Sequence, residues 1–102
     1  MRLIDLEPRW LSLSVFAFKC PHCQQALLTC KNVVMSLRDQ HRLYEQRLGE
    51  GWNLLVVGCK EEMAWNFKSN EPFETMTVTP SLDASASGHW HGFITAGAIV
   101  TA

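Results

Sequence analysis

The chain has 102 residues, of which 47% are hydrophobic and 19% are charged, so it is long enough for one compact domain but hardly for two. Nine Lys and Arg against ten Asp and Glu give a formal net charge of -1, which excludes the strong basic field of proteins that bind nucleic acid or anionic lipid. Four cysteines, four histidines and four tryptophans make metal or redox chemistry the main expectation.

No segment approaches the roughly 20 consecutive apolar residues that a membrane-spanning helix needs. The first eight residues contain Asp5, Glu7 and Pro8, where a secretory signal would have a basic start and an apolar run. We therefore expect a cytoplasmic protein. In a reducing cytosol, closely spaced cysteines more often hold a metal or exchange thiols than form a structural disulfide.

The first predicted elements are strands. Bulky residues alternate along positions 11–18 and fill both faces, which predicts one largely buried strand that continues to Cys20. A second strand is predicted near residues 26–30.

Residues 24–48 allow two interpretations. Apolar residues recur there at helical spacing, which would give one long helix. The β-branched pair Val33-Val34 lowers helix propensity, however, and Ser36 begins a sequence typical of a helix N-terminus. We favour a helix at about 37–48, ended by Gly49.

The predicted elements after this helix are all strands, at residues 52–59, 63–67, 74–79, 90–95 and 98–101. The last two form a predicted hairpin around Ala96-Gly97, and the small polar residues 81–88 predict an exposed loop before it. The chain as a whole (1–102) is thus predicted to be a single α+β, β-rich domain. Its expected architecture is an antiparallel sheet or sandwich with one helix, a C-terminal hairpin and a zinc knuckle.

The sharpest local signal is Cys20-Pro21-His22-Cys23. Two thiolates separated by two residues can bind one tetrahedral ion, and such a pair after a strand is typical of a zinc knuckle. A single pair provides only half of a closed site, so two more ligands are needed.

His89 and His91 are the preferred second pair of ligands. Two residues apart on a regular strand, they would point to the same side of the sheet and reach one ion together. We therefore predict a Zn²⁺ site formed by Cys20, Cys23, His89 and His91, which would join the N-terminal strand to the C-terminal hairpin.

Alternatives to His89 as the fourth ligand are Cys30, Cys59 and Asp83, although both cysteines end apolar runs and are expected in the core. His22 and His41 are expected on the surface. A catalytic zinc with Asp83, Glu61 or Glu62 as the base is permitted by the sequence, but no catalytic motif indicates it.

A competing interpretation makes Cys20 and Cys23 a dithiol active site, because Cys-Pro-His-Cys resembles that of oxidants with a thioredoxin fold. Only nineteen residues precede the motif, too few for the βαβ unit that this fold places there. The zinc site is therefore favoured over thiol exchange.

Several segments together resemble a family of small phage and bacterial proteins known only as a domain of unknown function: residues 18–23, 64–67, 77–82 and 89–94, with Gly97. The resemblance spans about residues 5–99 and is weakest over 32–60. Members commonly have a Cys-rich knuckle and a histidine six residues before a glycine, a spacing that His91 and Gly97 keep. Many relatives have a cysteine where this chain has Gly88, so His89 would take over that ligand role. The resemblance implies a metal-binding, β-rich domain and no established reaction.

From these observations we expect a structural-zinc binding module that contacts another protein, with a host or defence protein as partner if the phage origin holds. We expect no nucleic acid and no membrane as partner, and leave a homo-oligomer open. The first alternative is a zinc-dependent hydrolase of peptide or isopeptide bonds, which relatives beside ubiquitin-like conjugation genes suggest. The second is a thioredoxin-like thiol oxidoreductase that uses Cys20 and Cys23.

Overall fold

The first half of the chain forms a mixed four-stranded sheet. The computed structural model describes residues 1–102. Three antiparallel strands, β1 (Arg9–Ser12), β2 (Val15–Lys19) and β3 (Leu27–Lys31), are followed in the sheet by β4 (Val56–Val57), which is parallel to β3. A 3₁₀ helix at Leu3–Leu6 precedes this sheet.

The last quarter of the chain forms a second, antiparallel sheet of β5 (Val78–Asp83), β6 (His91–Thr95) and β7 (Ala98–Thr101). The predicted C-terminal hairpin is confirmed. Both turn residues, Ala96 and Gly97, have positive φ angles, 49° and 80°, as a two-residue hairpin turn that follows the strand twist requires. A Cβ on Gly97 would also collide with the backbone carbonyl of Glu74. Both the positive φ angle and this close approach therefore require glycine at this position.

The predicted helix is confirmed as α1 (Leu37–Leu48), which excludes the alternative of one helix over 24–48. The Ser36 hydroxyl accepts a hydrogen bond from the backbone N–H of Asp39 (3.1 Å), and Gly49 closes the last turn through its N–H to the carbonyl of Glu45 (3.1 Å). A one-turn helix, α2 (Trp52–Leu55), leads from α1 to β4.

The predicted strand over 11–18 is wrong, because the chain turns at Leu13-Ser14 and forms the β1–β2 hairpin. The backbone N–H of Ser14 donates to the Ser12 hydroxyl (3.1 Å), a local bond that favours a turn over a continuous strand. The strand predicted at 26–30 is confirmed as β3, within one residue at each end.

Three predictions for the second half also need correction. Residues 52–59 form α2 and the two-residue β4 instead of one long strand, and residues 63–67 form only an isolated bridge between Asn66 and Thr79. The strand expected at 74–79 begins later, at Val78, and continues through Asp83. The loop expected at 81–88 is accordingly shorter, and it contains a 3₁₀ turn at Ser85–Ser87.

Two hydrophobic clusters stabilise this α+β, β-rich fold. The larger one joins the two sheets and includes Phe16, Phe18, Trp65 and Trp90. The smaller one lies under α1 and is centred on Tyr44. None of the helices has the length and apolar character needed to cross a bilayer.

Candidate metal centre

The turn between β2 and β3 presents the two cysteines of the predicted knuckle. Cys20 follows the last residue of β2, and its backbone N–H donates to the carbonyl of Ala26 (2.9 Å), which continues the β2–β3 ladder by one bond. The N–H of Gln24 donates back to the carbonyl of Cys20 (2.8 Å), and Gln24 itself is left-handed, at φ 56°. This tight turn brings both cysteine side chains to the same end of the hairpin.

The two thiols differ in exposure. Cys20 is completely buried in the larger hydrophobic cluster, whereas Cys23 is exposed. The backbone N–H of Ala26 donates to Sγ of Cys23 (3.4 Å). Hydrogen bonds from the backbone of Ala26 and Gln25 lower the pKa of Cys23 to about 7, because they stabilise the thiolate. A thiolate is the form that binds a metal ion.

The third donor comes from the other sheet, in the connection between β5 and β6. The carbonyl of Ala84 accepts from the N–H of His89 (3.0 Å), and the N–H of Ala84 donates to the carbonyl of Trp90 (3.0 Å). Trp90 is completely buried, its ring lies edge-on to Phe18, and its indole N–H donates to the Thr101 hydroxyl (3.1 Å). His89 is thus held next to a well-anchored residue while its own ring stays half-buried at the surface.

These elements bring Cys20, Cys23 and His89 together. Their ligand atoms all lie within 4.8 Å of one another, and Sγ of Cys23 is 3.8 Å from Nδ1 of His89 although 66 residues separate them in the chain. Donor atoms this close can meet one metal ion. Two thiolates and an imidazole are a donor set that suits zinc and other borderline or soft ions rather than magnesium or calcium.

His91, predicted as the second histidine ligand, is not part of this group. The prediction placed both histidines on one regular strand, but β6 begins only at His91, and Gly88 before the pair is left-handed, at φ 77°. His91 lies half-buried in β6, opposite Asp83 of β5. Its role as a ligand therefore stays a prediction, whereas His89, to which Cys30, Cys59 and Asp83 are the alternatives, lies with the two cysteines.

The other candidate residues lie apart from this group of donors. Cys30 is buried in the core, as expected, and burial raises the pKa of its thiol well above the usual value. Cys59 is half-buried at the edge of the core, where burial also raises its pKa. His22 and His41 are exposed, and His41 packs against Trp52.

The carboxylates considered as a catalytic base are engaged elsewhere. Asp83 is exposed and accepts hydrogen bonds from the backbone and hydroxyl of Ser85, which lower its pKa. Glu61 accepts from the backbone N–H of Leu37 (2.8 Å) at the start of α1. Glu62 is exposed. None of the three belongs to the group of metal-donor atoms.

The thioredoxin-like alternative is weakened by the element that follows the cysteines. In that fold the dithiol precedes a helix, but here β3 begins four residues after Cys23. The exposed cysteine is also the second of the pair, with the first one buried.

The sequence did not identify the residues that hold the site in place. Ala26 and Ala84 contribute only backbone groups, which the residue type does not reveal. Trp90 positions the neighbouring His89 because it is completely buried, and its burial is visible only in the fold. A buried aromatic residue directly after a candidate ligand is the one signal that could have indicated such an anchor.

Comparison of the chain with protein-family models, curated proteins and solved structures finds no match. The resemblance to the phage and bacterial family stays a prediction.

Proposed function

We propose that this chain is a small zinc-binding module, in which one ion at Cys20, Cys23 and His89 holds the β2–β3 turn against the β5–β6 connection. The observation that carries the proposal is the convergence of three soft or borderline donors from two different sheets within 4.8 Å. Without an ion, the polar contact between the two turns is one weak sulfur–imidazole interaction. An ion in that position would join the two sheets directly, and its binding energy would contribute to folding.

The proposed role of the module is to bind another protein. The metal centre lies at the surface, with Cys23 exposed and His89 half-buried, so an ion would stabilise loops that a partner can contact. The family resemblance extends this proposal to a phage or prophage product in the cytoplasm that acts on a host or defence protein. A homo-oligomer is an alternative use of the same surface.

Metal analysis of protein purified without added metal tests the zinc site. We expect about one zinc per chain, with the exposed thiol of Cys23 protected from alkylation until a chelator is added. Exchange with Co²⁺ should give the visible absorption of a tetrahedral thiolate complex. The Cys20→Ser and Cys23→Ser variants should lose both signals, and Cys59→Ser, the matched control, should keep them. Metal-free protein with a reducible Cys20–Cys23 disulfide would contradict the proposal and favour thiol exchange.

A zinc-dependent hydrolase is a second candidate, and it is favoured by the donor count. Three protein donors would leave a fourth position for water, as catalytic zinc sites do. Substitution of His91 distinguishes the zinc-binding module from the zinc-dependent hydrolase. If His91→Ala loses the ion while the control His41→Ala keeps it, the site is closed by four protein ligands and the hydrolase is excluded. If His91→Ala keeps the ion and its Co²⁺ spectrum, hydrolysis of peptide and isopeptide substrates becomes the assay to run.

A further inference from the structure

A cavity of about 370 Å³ lies apart from the metal centre, between β3 and β4 on one side and β5 with the 3₁₀ turn at Ser85–Ser87 on the other. Its volume falls near the lower end of the range, about 300–1,000 Å³, that small-molecule sites occupy. No residue of the candidate metal centre lines it. We infer that this cavity is a binding site for a small, neutral, largely apolar molecule with a ring and at most one hydrogen-bonding group.

One wall of the cavity is held rigidly by a buried cation. Lys31, at the end of β3, is 1% exposed, and its ammonium group donates to the carbonyls of Lys60 (3.0 Å) and Glu61 (3.1 Å) and also to that of Met63. These bonds bind the segment 58–63 to the first sheet, because a buried ammonium group without acceptors would be very costly. The wall is therefore formed before any ligand arrives.

The opposite wall is fixed by Trp65. Its indole N–H donates to the carbonyl of Ser81 in β5 (3.2 Å), and its backbone N–H donates to the carbonyl of Lys31 (2.8 Å). The ring of Trp65 thus spans the space between the two sheets and forms part of the cavity lining. Its flat apolar face suits a ring-shaped ligand.

The polar groups of the lining indicate a neutral ligand. The Thr29 hydroxyl and the Cys59 thiol are hydrogen-bonded to the buried pair Tyr44 (3.1 Å) and Gln40 (3.6 Å), so they need no ligand partner. Among the lining residues, Lys60 and Asp83 carry opposite charges, and neither forms an ion pair. The remaining lining is mostly aliphatic, from Leu28, Val57 and Leu82 among others. The two opposite charges leave the lining without a net charge that would select an ion, and its apolar residues favour apolar contact.

The test uses indole, 2-naphthol and cyclohexanol as probes on the full chain as purified, followed by two-dimensional ¹⁵N–¹H NMR. We expect saturable shifts that concentrate on the amides of cavity residues such as Val57, Cys59 and Leu82. The dissociation constant of the best probe should be about 0.1–1 mM, as for ligands of this size. Absence of saturable binding by all three probes, or shifts spread over the surface, would overturn the inference.

Two variants with larger side chains in the lining, and one control, test whether the probes bind in the cavity. Gly58 is an exposed lining residue at which a Cβ would meet no atom within 4 Å, so Gly58→Leu adds volume beside the cavity without a backbone collision, and Gly58→Ala is the matched control that adds little. We expect Gly58→Leu to weaken probe binding at least about tenfold and Gly58→Ala to change it little. Ala84→Leu, on the opposite wall, is a second filling variant in case Gly58→Leu does not fold. Unchanged probe binding in a folded filling variant would exclude the cavity as the site.

Discussion

Two turns of this molecule are stabilised in opposite ways. At the turn between β6 and β7, Gly97 is buried, its N–H donates to the carbonyl of Met76 (2.8 Å), and its own carbonyl accepts from the N–H of Leu3 (2.8 Å). At the turn between β2 and β3, residues 22–25 are exposed, and their polar contact with the second sheet is a thiol and an imidazole 3.8 Å apart. The first turn is stabilised by packing and by hydrogen bonds, including one from the N–H of Ala96 to the Thr77 hydroxyl (2.9 Å). At the second turn Cys20 is buried, but the exposed residues meet the other sheet mainly through donor atoms for an ion, which is why we place the metal there.

The largest expected effect comes from removing the ion. Cys23→Ser replaces an exposed metal ligand, so the variant should lose the stabilisation that a bound ion supplies, about 4 kcal/mol when free metal is roughly 1,000 times its dissociation constant. Urea unfolding with and without a chelator measures this. In chelator the difference between wild type and variant should largely disappear, because neither then holds metal. A full difference that persists in chelator would mean that Cys23 contributes through its hydrogen bond from Ala26 alone and that the second turn needs no ion.

Gly97→Ala should destabilise the other turn by about 3 kcal/mol, because it adds a Cβ that collides with the carbonyl of Glu74 and requires a positive φ of a residue that disfavours it. Unlike the cysteine variant, this one should cost the same free energy of unfolding with metal and with chelator. The same urea titrations check this. If chelation reduced the cost of Gly97→Ala, the two turns would be coupled and the contrast between them would fail.

Trp90→Phe should have an intermediate effect, about 1–2 kcal/mol, since a smaller ring leaves part of a fully buried volume empty and the indole hydrogen bond to Thr101 is lost. Because Trp90 directly follows His89, we expect weaker metal binding as well, measured by competition with a metal-sensitive dye. Thr101→Val removes only the hydrogen-bond acceptor and serves as the control. Unchanged metal affinity in Trp90→Phe would show that His89 is positioned by the backbone of Ala84 alone.

The parts of the fold that the sequence predicted correctly have local causes. α1 begins at the Ser36 cap and ends at Gly49, and the β6–β7 hairpin follows from a turn that glycine favours. The strand β4 has only two residues and depends on pairing with β3, its neighbour in the sheet but distant in the chain, so residues 52–59 carried no local signal for it. Residues 63–67 looked like a strand, yet their backbone bonds go to Lys31 and Thr79 as isolated contacts.

The same distinction between local and long-range causes applies to the candidate metal centre. Cys20 and Cys23 form a local pair, and their turn was predictable from spacing. His89 could be proposed as a partner, but the pairing with His91 assumed a regular strand through both residues, whereas β6 begins only at His91, two residues after His89. Register at the start of a strand depends on what the preceding loop contacts, here the carbonyl of Ala84, and no pattern of residue types shows that.

The smallest expected effect is a pH dependence confined to the metal-free protein. Backbone hydrogen bonds lower the pKa of Cys23 from 9.0 to about 7, so between these values the folded chain has a thiolate where the unfolded chain has a thiol. The unfolded state binds more protons in that range, and this contribution to stability therefore grows from pH 7 to 9 and is lost as the pH falls through 7.

Alkylation with iodoacetamide in the presence of a chelator, followed by peptide mass spectrometry, measures this pKa directly. The rate at Cys23 should rise with a midpoint near pH 7, because only the thiolate reacts. Cys30, whose burial raises its pKa, is the internal reference and should stay unmodified while the chain is folded. A midpoint near 9 at Cys23 would show that the β2–β3 turn does not keep its hydrogen bonds without the ion. The metal would then form this turn as well as join it to the second sheet, and the difference between the two turns would be larger than the structure suggests.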